Sequence, residues 1–453
     1  MPIPKEIKKF LERRGTNLLV RGEPGTGKTK LSLELMKVFN LAYVGTKRSI
    51  SEIKSEYSWI DEELEKKLFC IDEKYDYEDT DTFGQVFYLI PESLRRVLNL
   101  FESGAVQGII VDSWHSIISE LNIMAVEEQE RAKIYESSAF FLKLIRLSES
   151  GVNFIIVREG NEDDNISYLA DGVLTLYRKV EDGRIYRWFV IDKLRGEEVE
   201  RSSYLFTLKA NRFTYLRSRK FKHPAQIQGF INNASEISST YFDNIFSVRR
   251  NDTIVFDFGE FLPSAYRTTA IMGFIASFAS KNSRVLVLPP NGFDMSDLKY
   301  NIYLFGLERD YHNITYMYGE ETMEGFSKSV DFSDYKGIIA TIKEELAKHA
   351  SEFPPLVIIG YDRLGSYLSS RESMRAIYRI KDSIKERGGV MLIAGNIMGE
   401  ENRRFCSGIA DKYIKFKNIG GDVVMYGIKP WTRVYHVDIL YKQYPKLLTR
   451  VIA

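Results

Sequence analysis

Short apolar runs alternate with stretches of helical spacing along the whole chain. Asn17-Leu-Leu-Val-Arg21 reads as a buried strand, and behind it Leu31, Leu33, Leu35, Met36 and Val38 recur at the spacing of one helix face. Gln107-Gly-Ile-Ile-Val-Asp112 and Gly151-Val-Asn-Phe-Ile-Ile-Val157 read as further strands. In the second half Thr253–Phe258, Pro355–Gly360 and Gly388–Ala394 have the same character, with an apolar helix from Ala270. Strand alternating with helix in both halves predicts an α/β fold built on parallel sheets. The longest apolar stretch, Ala270–Ala279, falls well short of the roughly 20 residues that a bilayer span needs, so no membrane span is expected. The opening Met1–Phe10 alternates charge with Ile and Phe as an amphipathic helix does, and it lacks the apolar core of a targeting segment.

At 453 residues the chain has room for two or three domains. Its 63 basic and 62 acidic side chains exclude a strongly basic nucleic-acid coat, and 44% apolar content excludes disorder of the whole chain. Cys70 and Cys406 stand alone, without zinc-ligand or disulfide spacing, which fits a reducing, cytoplasmic setting.

The chemistry begins where the first strand ends. Gly22-Glu23-Pro24-Gly25-Thr26-Gly27-Lys28-Thr29, followed by Lys30, is the full G-x-x-x-x-G-K-[ST] pattern between a strand and a helix. Its glycines let backbone N–H groups face phosphate oxygens at the positive end of the helix. Lys28 is expected to reach the β/γ-phosphates of ATP, and the Thr29 hydroxyl to hold Mg²⁺. Asp112, ending an apolar strand 84 residues after Lys28, is the expected acidic partner of that metal. Arg158 and Glu159 end the strand that follows, where a group sensing the γ-phosphate is expected. His115 reads as a polar core residue.

These residues resemble the RecA-like P-loop ATPases, and within them the KaiC group, over about residues 1–215. Leu169-Ala-Asp171-Gly-Val-Leu-Thr-Leu176 is similar to that group's Ala-Asp-Gly-Val strand, and Lys193-Leu-Arg195-Gly196 to its Lys-x-Arg-Gly segment. The resemblance implies that Lys193 and Arg195 point at a neighbouring subunit's γ-phosphate. It therefore implies a homo-oligomeric ring, of which a hexamer is one form. Pro4-Lys-Glu-Ile-Lys-Lys-Phe10 ahead of the P-loop resembles the archaeal gas-vesicle regulator family GvpD more than clock-type KaiC proteins.

One departure bears on activity. KaiC proteins carry paired glutamates after the second strand, and here Lys47 and Arg48 stand in Leu41–Ser49 instead. A cation cannot serve as the base toward water, so hydrolysis is expected to be slow unless Glu52 or Glu159 substitutes.

Residues 1–216 are expected to form the ATP-binding domain, 217–249 a linker and 250–453 a degenerate copy of the first domain. The copy is read from Gly259-Glu260, echoing the P-loop opening, from Arg267-Thr268 near the Lys-Thr position, and from Pro355–Gly360 with glycine where Asp112 would be. Gly388–Ala394 and Ile409-Ala-Asp411 extend the match. Lacking the inner glycines and the lysine, this copy is expected to bind no nucleotide. Lys429-Pro-Trp431 falls in the region of Lys-x-Arg.

Three functions follow. The first is a nucleotide-dependent regulatory switch whose assembly state a protein partner reads. The second is a RecA/RadA-like DNA recombination or repair ATPase, which the acidic Glu127–Glu130 and Glu162–Asp164, in stretches expected to face DNA, oppose. The basic Arg217–Lys222 cluster reads as a solvated linker. The third is autokinase activity, for which no protein-kinase motif is present. The acidic run Asp61–Asp81, with ten carboxylates, reads as a solvated surface or a face for a basic partner.

Overall fold

The first half of the chain builds a sheet from β1 (Asn17–Gly22), β2 (Leu41–Gly45), β3 (Leu68–Cys70), β4 (Gly108–Asp112), β5 (Asn153–Glu159), β6 (Gly172–Glu181), β7 (Arg184–Leu194), β8 (Ser203–Thr207) and β9 (Thr214–Tyr215). Their order is β3-β2-β4-β5-β1-β6-β7-β8-β9, parallel as far as β6 and antiparallel beyond it. The computed structural model describes residues 3–45, 48–70, 100, 103–114, 151–161, 165–216, 248–319, 327–348, 353–441 and 445–452. Chain contacts divide it into two compact units, residues 1–217 and 218–452. Among the described residues no helix is long and apolar enough to cross a membrane.

β1 and β2 are buried at every position, which explains why they read as continuous apolar runs and not as alternating ones. Leu18 and Val20 face one core with Leu31, Leu35, Phe39 and Phe206, whereas Leu19 faces the other with Val44, Val111 and Ile156. The helix Lys28–Phe39 that follows the P-loop packs into the first of these cores, so its start is fixed against the end of β1.

The second unit repeats this topology. It contains β10 (Thr253–Phe258), β11 (Val285–Leu288), β12 (Ile314–Tyr318), β13 (Ser327–Ser329), β14 (Leu356–Gly360), β15 (Val390–Gly395), β16 (Lys412–Ile419), β17 (Asp422–Lys429), β18 (Tyr435–Tyr441) and β19 (Pro445–Val451). The order is β13-β12-β11-β14-β15-β10-β16-β17-β18-β19, and without β13 it matches the first sheet strand for strand. The chain is thus two RecA-like α/β domains in tandem, the second degenerate.

Hydrogen bonds fix the correspondence residue by residue. Asp171 accepts the Asn17 N–H at 3.3 Å and donates its own N–H to the Asn17 carbonyl at 3.0 Å; Asp411 does the same with Thr253, both at 2.8 Å. Counting onward from Asn17 and Thr253, Phe258 stands for Gly22, Phe261 for Gly25, Pro263 for Gly27 and Ser264 for Lys28. The helices begin in step, as Lys28–Phe39 and Ser264–Ala279. Gly25 and Phe261 even share a left-handed backbone, at φ 77° and 58°.

In this count the sequence pairing of Gly259-Glu260 with Gly22-Glu23 is one residue out, because the sheet ladder and not the glycine pattern sets the register. Gly259 meets a constraint of its own, since a Cβ there would stand 2.8 Å from the Phe416 carbonyl oxygen. Arg267 likewise falls nearly one turn beyond the Lys28 position. Gly360, paired with Ala394, occupies the place of Asp112, paired with Val157.

Candidate nucleotide site at the P-loop

Gly22 closes β1 where a side chain would not fit, because a Cβ would approach the Leu176 carbonyl oxygen to 2.6 Å. The chain then turns through Glu23, Pro24 and Gly25, all exposed, and enters the helix at Gly27 with φ 107°. No side chain caps that helix start. A helix start without a side-chain cap, at the positive end of the helix, is suited to binding an anion. Thr26 is buried and donates its hydroxyl to the Glu23 carbonyl at 2.8 Å, bracing the loop. The Lys28 ammonium donates to the carbonyls of Gly22 (2.6 Å) and Glu23 (3.0 Å), spanning the mouth of the loop. Thr29 and Lys30 are half-buried beside it. Uncapped N–H groups, a cation over the loop and a threonine at the helix start make a donor set that fits a nucleotide polyphosphate.

Four strand ends meet at the same edge of the sheet. Gly22 pairs with Glu159 across β1 and β5, Asp112 pairs with Val157 across β4 and β5, and Gly45 pairs with Asp112 across β2 and β4. Asp112 and Glu159 thus flank the P-loop from strands on its β5 side. The Asp112–Ser113 peptide is cis. Tyr43 donates its hydroxyl to Asp112 Oδ2 at 2.9 Å. Burial pushes this phenol well above its ordinary pKa, and the Asp112 carboxylate beside it pushes the same way, so Tyr43 stays a donor that fixes one carboxylate oxygen. The sequence offered no signal for this pair, 69 residues apart.

Lys193 and Arg195 lie at the opposite edge. Lys193 pairs with Val173, which is level with Leu19, three residues before Gly22 on β1. That offset is about 10 Å at the rise of a strand. Its ammonium donates back to the carbonyls of Ser167 (3.3 Å) and Tyr168 (3.1 Å), away from the P-loop. Burial lowers its pKa, with Arg195 nearby acting in the same direction. Arg195 follows the end of β7 and pairs with Asp171 at 3.2 Å, its side chain 59% exposed. These two cations are not brought to their own chain's P-loop.

A buried arginine ties the two edges together. Arg21, one residue before the P-loop, donates Nε–H to the Thr175 hydroxyl at 2.8 Å and a guanidinium N–H to Ser167 at 3.3 Å, and lies 3.7 Å from the Asp192 carboxylate. Asp192 accepts from Thr175 and precedes Lys193. A charged residue inside an apolar strand was the available signal for this network.

The cations proposed to replace the catalytic glutamates are only partly described. Lys47 lies outside the described residues, as do His115, Glu127–Glu130, Glu162–Asp164, Arg217–Lys222 and positions 71–81 of the acidic run. Arg48 pairs with Glu56, and the helix Ile50–Glu56 starts with a capping box in which Glu52 accepts the Ser49 N–H at 2.9 Å. Glu52 is thereby engaged in helix capping. A further element escaped the sequence reading: the turn after β8. Leu208 lies where a Cβ on Gly27 would meet it at 3.0 Å, Asn211 accepts from Lys30 at 3.0 Å, and Arg212 clamps the buried Glu34 of the P-loop helix. Arg212 also lies 4.5 Å from the centre of the Trp59 ring.

Residues 7–192 match the family described as "GvpD gas vesicle protein, P-loop domain". The first domain is thus GvpD-like, with a P-loop. Two curated relatives, both from Halobacterium salinarum, extend the match. Protein GvpD2 is 25% identical over 308 residues, covering 63% of this chain and 61% of the relative. Protein GvpD1 is 26% identical over 367 residues, covering 73% of this chain and 64% of the relative. The chain thus spans less than two thirds of either GvpD protein, although the similarity to GvpD1 covers more of it than the first unit contains. A P-loop domain of this type implies nucleotide binding.

Proposed function

We propose that this protein is a nucleotide-dependent regulatory switch that binds Mg-ATP at a boundary between two copies of the chain and hydrolyses it slowly at most. Residues 22–30 would cradle the phosphates, with Lys28 on the β/γ-phosphates, and Thr29 and Asp112 would hold Mg²⁺. The metal would supply charge neutralisation at the transferring phosphate. Lys193 and Arg195 would complete the site from the neighbouring copy. One observation supports this reading: Lys193 lies about 10 Å short of Gly22 along the strands and Arg195 pairs with Asp171, so neither cation is directed at its own copy's P-loop.

Glu159 is the carboxylate level with the start of the P-loop, and it is the proposed base for whatever hydrolysis occurs. The second domain binds no nucleotide in this reading, since Pro263 lacks an N–H where Gly27 has one and Ser264 has no cation where Lys28 has one. An ordered boundary with ATP and a loosened one without it would give a regulatory protein partner two states to distinguish.

The test is a single-turnover assay that follows bound nucleotide and released phosphate together, in the wild type, Lys28→Ala and Glu159→Gln. Tight ATP retention with slow phosphate release, and retention weakened about 30- to 150-fold in Lys28→Ala, is the expected outcome, from the roughly 2–3 kcal/mol of a charge-assisted contact. ATP held equally well by Lys28→Ala contradicts the reading.

A further inference from the structure

We infer that the second domain forms the same head-to-tail boundary between copies of this chain without nucleotide, through Phe261 of one copy and Trp431 of the next. This rests on the reading of the first domain's site as a boundary between copies.

The two aromatic residues occupy the two halves of the vanished site. Phe261 stands where Gly25 forms the tip of the P-loop, and it is 88% exposed. Its backbone keeps the left-handed conformation that glycine adopts in the first domain, an uncommon choice for a bulky residue. Asn418 on β16 donates to its carbonyl at 3.0 Å and so holds the loop against the sheet. On the other edge, Lys429 pairs with Tyr413 as Lys193 pairs with Val173, and both ladders shift register at that point. Trp431 therefore stands where Arg195 stands, and it is 62% exposed. The Lys429 ammonium donates to the Ala410 carbonyl, on the chain leading into β16, much as Lys193 donates to the chain leading into β6. The Trp431 turn is fixed by Thr432, which donates its N–H to the Gly427 carbonyl at 3.0 Å and accepts the Gly427 N–H at 2.7 Å.

A glycine facing phosphate and an arginine facing it from the neighbouring copy have thus become a phenylalanine and a tryptophan. Met398, 56% exposed in the loop after β15, adds apolar surface to the Phe261 edge. The two aromatic patches lie at opposite edges of one domain and cannot cover each other within a copy. A second copy seated head to tail against this domain covers both at once, and repetition of that contact closes a ring. Tryptophan in such a place is a characteristic anchor of an interface, and an aromatic pair needs no ligand to bridge it. The contact would hold copies together while ATP comes and goes at the first domain.

The experiment uses full-length chains in a Cys70→Ser background; Cys406 is buried. Glu260→Cys and Arg433→Cys chains, exposed neighbours that leave Phe261 and Trp431 in place, are co-expressed and treated with a short bismaleimide, with and without Mg-ATP. A covalent dimer in the co-expressed sample, absent from either variant alone and formed equally in both conditions, is the expected result. Glu23→Cys with Tyr168→Cys reports on the first domain's boundary in parallel. If that pair cross-links and the Glu260–Arg433 pair does not, the inference fails and the boundary reading of the first domain stands. If neither cross-links, the boundary reading itself fails. In sedimentation, Phe261→Gly, which suits the left-handed backbone, should convert nucleotide-free oligomer to monomer; a nucleotide-free oligomer unchanged by it overturns the inference.

Discussion

Arg195 in the first domain and Trp431 in the second stand at the same place, each two residues past a lysine that pairs with the second residue after a conserved-in-both-copies Ala-Asp step, Asp171 or Asp411. The cation is present in the copy with an intact P-loop and absent from the copy without one. That pairing supports the proposed role of Arg195 at phosphate.

Arg195→Ala should leave the stability of the chain nearly unchanged. Its contact with Asp171 is made by a side chain 59% exposed, and an ion pair of that kind contributes about 0–1 kcal/mol. Phosphate release in a single turnover should nevertheless slow at least about ten-fold, as expected for a cation that stabilises charge on a transferring phosphate. Chemical denaturation and phosphate release, measured on the same preparation, check the two halves of this statement. A loss of stability equal to the loss of activity would assign Arg195 a structural role.

Tyr43→Phe removes the hydroxyl that fixes Asp112 and nothing else of comparable size. The Mg²⁺ concentration needed for half-maximal ATP retention should rise about five- to ten-fold, with little change at saturating Mg²⁺. Titration of Mg²⁺ against retained nucleotide measures it. An unchanged Mg²⁺ requirement would separate Asp112 from the metal.

The second domain should lose stability in acid through Glu345. This buried carboxylate accepts from Arg284 (2.6 Å), Lys348 (2.8 Å) and Lys328 (3.0 Å). Burial alone would raise its pKa, but the hydrogen bonds from Lys348, Lys328 and Arg284 outweigh it and hold the group at about 2. A folded-state pKa below the unfolded value stabilises above the unfolded pKa of about 4.3, and that contribution disappears as pH falls toward 2. The contribution is about 2–3 kcal/mol. Denaturation midpoints of the wild type and Glu345→Gln at pH 7, 4 and 3 should therefore converge as pH falls; a gap that stays constant would contradict the assignment.

Much of this architecture was legible because the apolar runs are buried on both faces of a parallel sheet and so survive as uninterrupted words in the sequence. The P-loop was legible for a different reason: Gly22 has no room for a side chain, Gly25 and Gly27 take backbone conformations that favour glycine, and the chemistry needs Lys28 and Thr29 after them. The degenerate loop was harder to align, because Phe258, Phe261 and Pro263 keep its length and path without its glycines. Only the ladder from Thr253 reveals that the loops are equally long. The contacts of Asp112 with Tyr43 and of Glu34 with Arg212 join residues 69 and 178 positions apart, where nothing local records the pairing. Glu52 illustrates the reverse case: a carboxylate at a promising place in the sequence is engaged in capping its own helix.

The central claim, a nucleotide site shared between two copies, is tested most directly by mixing two defective chains. Lys28→Ala lacks the proposed phosphate contact, and the double variant Lys193→Ala, Arg195→Ala lacks the pair proposed to reach the neighbour. Each alone should release little phosphate from bound ATP. Co-assembled, the intact P-loop of the second would face the intact Lys193–Arg195 pair of the first, and the account predicts phosphate release well above the sum of the separate variants. Release no greater than that sum, in mixtures shown by sedimentation to contain both chains, would contradict it.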